Sequence, residues 1–140
     1  MTDNQDCIFC KIIGGQIPSH KLAEGQHTVA ILDAFPTTRG HALVLTKQHR
    51  QDILAMTPLE LADAHLQLQR VASAVQQATG CPAFNIISNT GSLAGQIVFH
   101  AHFHIMPRYE NDILKIKLPK YQCTDEEKNE LAQSIRQRLE

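Results

Sequence analysis

Residues 57 to 82 constrain the fold more than any other stretch. Thr57 suits an N-cap, Pro58 the first helical position, and Glu60, three residues after Thr57, completes a capping box. Leu61, Leu68, Val71, Ala72 and Val75 recur near the helical period and make one apolar stripe. Gly80 stands where a helix turns off, and Pro82 keeps it from resuming. This pattern predicts a helix over 58–79 with a single face to be covered. The other apolar runs are too short for helices. TVAILD (28–33), HALVLT (41–46), AFNIIS (83–88) and VFHAHFHIM (98–106) read as strands. Pro36 and Gly40 supply turn chemistry between the first two, and so short a link favours antiparallel neighbours. A short helical turn is expected at 51–56. A last helix starts at Thr124, with Glu127 closing another capping box and Leu131, Ile135 and Leu139 as its apolar seam. The expected class is α+β: a largely antiparallel sheet, one long helix and a C-terminal helix over about 124–139.

A chain of 140 residues is of one-domain length. A net charge of −1, histidines neutral, gives no electrostatic case for a nucleic-acid or membrane surface. The start, MTDNQDCIFCKII, does not read as a signal peptide. No apolar run approaches the ~18 to 20 residues of a membrane span. Without a secretory signal, Cys7, Cys10, Cys81 and Cys123 are expected as reduced thiols or metal ligands, and the compartment as cytoplasmic. There is no internal repeat, linker or low-complexity segment.

The strand at 98–106 contains HAHFH. Alternation along a strand puts His100, His102 and His104 on one face, and Phe99, Ala101, Phe103 and Ile105 on the other, ready to pack on the long helix. A solvated face would carry Lys, Glu, Thr or Gln rather than imidazoles alone. Alternate histidines can chelate a metal. Alternatively, one imidazole is a nucleophile toward phosphorus and its neighbours position the substrate. The segment before the strand, SNTGSLAGQIV (88–98), is small, polar and glycine-bearing. Successive N–H groups in such a loop can form an anion nest, and Gly95 would let the backbone approach a ligand closely. Next to three histidines, it points to a phosphate site.

The run from Gly95 through Gln96, Ile97, His100, His102 and His104 to Ile105 resembles the histidine triad (HIT) motif, in which histidines alternate with apolar residues. Cys7-Ile8-Phe9-Cys10 resembles the N-terminal segment of the family's Hint-like branch, bacterial members in particular. Asp33, Gly40-His41 with the apolar residues after it, and Asn89-Thr90-Gly91 resemble further parts of the family pattern, in the family's order. The resemblance covers about residues 6–109 of a single domain spanning 1–140. It implies a HIT-like fold, an antiparallel meander sheet with one long helix, and a purine nucleotide-binding hydrolase. His102 would be the nucleophile, forming a nucleotidyl-histidine intermediate. His104 would bond the phosphate, with N–H groups near Gly95, Gln96 and Ile97. His41 and His100 would complete the catalytic set. Asp33, with Ala34, and Asn89 would hold the ribose and phosphate. Ile8, Phe9 and Ile31 or Leu32 are candidates for the base pocket. Nucleoside phosphoramidates are the implied substrates and a homodimer, through the long helix and a strand, the implied assembly.

Family members often carry Ser or Thr where this chain has Ile97, so a hydroxyl for the phosphate or leaving group is missing. The third triad position is His104 rather than Gln, which favours the hydrolase branch. Cys7 and Cys10 form a C-x2-C pair, and zinc needs two more ligands. His49 and His100 match the positions that complete a structural zinc site in similar bacterial proteins. Other readings of the same residues are a dinucleoside polyphosphate hydrolase, a nucleotide-binding interaction protein with low turnover, and a metalloenzyme holding a metal on the three triad histidines. No role is assigned to His20, His27 or His65. Cys81 and Cys123 read as ordinary thiols, and Arg50, Arg70, Arg136 and Arg138 as solvated.

Overall fold

The computed structural model describes residues 4–139. Five strands form one antiparallel sheet: β1 (Lys21–Glu24), β2 (Thr28–Leu32), β3 (Ala42–Thr46), β4 (Ala83–Ile87) and β5 (His102–Arg108), in the order β1-β2-β3-β5-β4. The first three meander. The chain then crosses by a helix to the far edge, and β5 returns between β3 and β4.

Helix α1 (Ile8–Ile13) lies on one face of the sheet, and α2 (Pro58–Thr79) on the other. The register explains the two cores. Ala30, Ala42, Val44, Ala101, Phe103 and Ile105 pack against Ala64, Leu68, Val71, Ala72 and Val75 of α2. Their alternates Val29, Ile31, Leu43 and Leu45 pack against Cys7, Phe9 and Cys10. β5 pairs His102 with Leu45 and His104 with Leu43, so both imidazoles stand on the α1 face.

α2 is bounded as its sequence predicts. Thr57 Oγ1 accepts from the Glu60 N–H, and Glu60 Oε2 accepts from the Thr57 N–H at 2.8 Å. Gly80 takes φ +72°, a left-handed turn open to glycine, and its N–H caps the Gln76 carbonyl. A 3-10 turn at Ile53–Ala55 falls within the expected helical turn. Helix α3 (Asp125–Leu139) begins after Thr124, whose Oγ1 accepts from the Glu127 N–H. Glu127 Oε1 instead accepts from Tyr121, and Leu131, Ile135 and Leu139 are exposed.

Further features differ from the sequence reading. β5 begins at His102, so His100 precedes the strand, because the Ala101 N–H bonds the Arg50 carbonyl rather than a strand partner. Phe99, expected to pack on α2 with Ala101, is exposed and belongs to neither core. Arg50 is not merely solvated: it grips buried Glu60 through Nε and Nη2 at 3.0–3.1 Å. No helix among the described residues is long and apolar enough to cross a membrane.

Candidate active site and metal centre

Each triad imidazole is held by a partner that decides which ring nitrogen carries its proton. His102 Nδ1 lies 2.7 Å from the His100 carbonyl. A carbonyl only accepts, so Nδ1 is protonated and Nε2 keeps its lone pair. His100 Nε2 lies 2.7 Å from the Thr46 carbonyl, which leaves its Nδ1 bare. His41 Nδ1 accepts from the Thr37 N–H at 3.1 Å, so its Nε2 carries the proton and donates to His104 Nδ1 at 2.9 Å. His104 Nε2 is therefore a donor. The result is a bare nitrogen on His102 beside a ring N–H on His104, with ring centroids 5.0 Å apart.

Burial keeps these rings neutral. It holds His102 and His41 below the ordinary imidazole range, Asp33 opposing in both cases. It pushes His104 down to about 4, helped by the neighbouring His102 and His41. A neutral imidazole has a nucleophilic lone pair at pH 7.

The expected nucleotide-binding residues divide. Buried Phe9 sets its ring edge-on to His102, with centroids 5.0 Å apart, while Ile8 is exposed beside it. Ile31 belongs to the core on the triad face, whereas Leu32 lines a groove against α2 on the other face. Asp33 Oδ1 is used in a turn, accepting from the Phe35 N–H, and Oδ2 lies 3.4 Å from His41 Nε2. Ala34 is exposed at that turn. Asn89 Nδ2 reaches the Gly95 carbonyl at 3.4 Å.

The loop 88–98 is braced more tightly than its sequence suggests. A 3-10 turn, Ser92–Ala94, ends at Gly95 with φ +93°. The N–H groups of Gly95 and Gln96 bond the Ser92 and Gly91 carbonyls, so two of the three expected phosphate donors close the loop itself. The Ile97 N–H has no such bond among the described residues. Sequence reasoning missed the buried Gln96 side chain, which accepts from the Gly91 N–H and donates to the Gln51 carbonyl, both at 2.8 Å.

Cys7, Cys10, His49 and His100 form a second centre behind the triad, with their four donor atoms within 4.8 Å of one another. His100 Nδ1 is 3.4 Å from Cys7 Sγ and 3.5 Å from Cys10 Sγ, and His49 Nδ1 is 3.3 Å from Cys10 Sγ. Tetrahedral zinc, with bonds of about 2.0–2.3 Å, separates its ligand atoms by about 3.5 Å. The donor set fits that ion, and the Thr46 carbonyl orients His100 as an outer partner should. Asp33, His41 and His104 also cluster, but the hydrogen bond from His41 to His104 already occupies both facing nitrogens. Among the described residues the three triad histidines do not converge as one ligand set: His100 groups with the two cysteines and His49, and His104 with Asp33 and His41.

A hydrogen-bonded histidine relay on a five-stranded antiparallel sheet, under a glycine loop, is the arrangement of a histidine triad protein. The HIT domain model matches residues 14–111, and the chain belongs to the HIT family. It is 37% identical over 134 residues to adenosine 5'-monophosphoramidase hnt1 of Schizosaccharomyces pombe, covering 95% of this chain and 98% of that one. It is 40% identical over 113 residues to adenylylsulfatase HINT3 of Arabidopsis thaliana, covering 81% of this chain and 57% of that one. The fold matches the crystal structure of SMU.412c from Streptococcus mutans with a TM-score of 0.93 at 38% identity, over 100% of this chain and 90% of that one.

Proposed function

We propose that the chain hydrolyses purine nucleoside phosphoramidates through a nucleotidyl-histidine on His102. The observation that carries this is the 2.7 Å contact of His102 Nδ1 with the His100 carbonyl, which places the proton on Nδ1 and leaves the Nε2 lone pair available. Nε2 attacks the α-phosphorus and the P–N bond to the amine breaks, the amine leaving with a proton taken from solvent, which the attacking water gives back in the second step. Water then attacks the same phosphorus, releases the nucleoside monophosphate and returns His102 to its neutral form. His104 Nε2–H, and the Ile97 N–H, donate to the phosphoryl oxygens as charge gathers there. Asp33, with Ala34, and Asn89 hold the ribose, and Ile8, Phe9 and Ile31 face the base. The phosphoramidase and adenylylsulfatase names of the two relatives support adenylyl groups as substrates.

Zinc in the Cys7, Cys10, His49 and His100 set would supply a structural crosslink. The functional unit is a homodimer in the cytoplasm. The test is release of a fluorescent amine from adenosine phosphoramidate, wild type beside His102→Ala, with adenylyl sulfate as a second substrate. Release by wild type alone, with adenosine monophosphate still bound by the variant, is the expected result. Equal release by both would remove His102 as nucleophile. Binding without release by either would favour the interaction-protein reading.

A further inference from the structure

Polar contacts at its start tie the C-terminal arm to the body, Tyr109 Oη donating to the Arg39 carbonyl and Arg108 bonding Asp112 and the Leu114 carbonyl, but among the described residues its apolar side chains stay uncovered. Residues 109–124 contain no helix or strand and expose Ile113, Leu118 and Tyr121. The 15-residue α3 that follows has no buried residue, and no element packs on it as the sheet packs on α2. Yet Leu131, Ile135 and Leu139 stand 51%, 55% and 79% exposed along one side. A lone helix of this length is marginal in water, so α3 needs a surface.

Its charges say which. The first turn is acidic, with Asp125, Glu126 and Glu127, and the last carries Arg136 and Arg138. At 3.6 residues per turn, Glu127, Leu131, Ile135 and Arg138 share one face. We propose that α3 docks antiparallel on α3 of a second copy. A two-fold axis between Leu131 and Ile135 sets each Leu131 against the other's Ile135, and each Glu127 beside the other's Arg138. Parallel pairing would set acid on acid and base on base. The contact is isologous and therefore closes. It is too short to supply the ~1,600 Å² of a standard interface, so it fixes pairing within a larger dimer contact.

The competing berth is a groove of about 550 Å³ between α2 and the β1–β2 edge, flanked by Arg39 and Arg70. Those guanidiniums suit only the acidic half of α3 and would meet Arg136 and Arg138 at the other. The experiment is hydrogen exchange of the full chain over a concentration series. Protection of amides 131–139 should rise with concentration. Glu127→Arg and Arg138→Glu should each move its midpoint up about tenfold, and the double variant should restore it. Concentration-independent exchange, single variants without effect, or a double variant no better than the singles would overturn the pairing. So would Arg70→Glu exposing α3 when the α3 variants do not. A protein that sediments as a dimer while α3 exchanges freely also overturns it, without touching the proposed hydrolysis, which is assayed separately.

Discussion

At the residue scale, the site is a set of tautomers fixed from outside. The Thr37 N–H fixes His41, which fixes His104, and the His100 carbonyl fixes His102. These bonds turn equal imidazoles into one acceptor and one donor, which phosphoryl transfer requires. The triad itself is legible in the sequence, since three histidines at alternate positions give a strand face that neither a core nor a solvated surface would use. Their proton positions are not legible, because they depend on three-dimensional contacts, His104 on the His41 ring and His100 on the Thr46 carbonyl, both far along the chain, and His102 on how the chain turns at His100. The relay also sets a pH dependence. Burial holds His104 at about 4, below the ordinary 6.5, so the folded protein prefers it neutral. The unfolded chain takes up the proton first. The stability this ring contributes is therefore complete above pH 6.5 and is lost as pH falls toward 4. Urea unfolding at pH 7.5, 6 and 4.5 should show a steeper acid loss in wild type than in His104→Gln. Equal slopes would mean that His104 titrates normally in the fold.

At the element scale, the features that were legible are those whose signals are local. α2 announces itself by cap, stripe and stop, and four strands by their apolar runs. α1 and β1 carry no such signal. α1 is short, apolar almost throughout, and capped by a sulfur, Cys7 Sγ accepting from the Cys10 N–H. β1 is a four-residue edge strand with a mostly exposed pattern. The start of β5 depends on where a distant carbonyl, that of Arg50, takes the Ala101 N–H. Arg50 thus serves α2 and β5 together, since its side chain holds Glu60 of the capping box. Burial would push the Glu60 carboxyl up, but Arg50 and the Thr57 N–H outweigh it and hold it below the usual range. Thr57→Ala removes one cap bond and should cost about 1 kcal/mol. Arg50→Ala leaves a buried carboxylate with its main counterion gone and should cost about 3 kcal/mol. Denaturant titration of both variants checks the order, and a smaller loss in Arg50→Ala would show that water reaches Glu60.

At the scale of the molecule, the two faces of the sheet do different work. The α2 face is the larger hydrocarbon core, with Glu60 and Gln67 of the helix buried among its apolar residues. The α1 face is thin: one short helix covers the side that carries the nucleophile, and Phe9 of that helix packs edge-on against both His100 and His102. What fastens it is the cluster of Cys7, Cys10, His49 and His100, which joins α1, the segment after β3 and the residue before β5. The two centres meet at His100, whose ring faces the thiols while its carbonyl orients His102. Zinc bound there should fasten α1 rather than build the fold, so its removal should cost well under the ~10–16 kcal/mol of a zinc finger that folds only with metal. Protein purified without chelator should contain near-stoichiometric zinc. After chelation, amides 8–13 should exchange faster while those of α2 facing the sheet stay protected, and adding zinc back should reverse the change. Loss of protection in both regions together would make the metal a condition of folding. No change in either would leave the cysteines as buried thiols that hold α1 by packing alone.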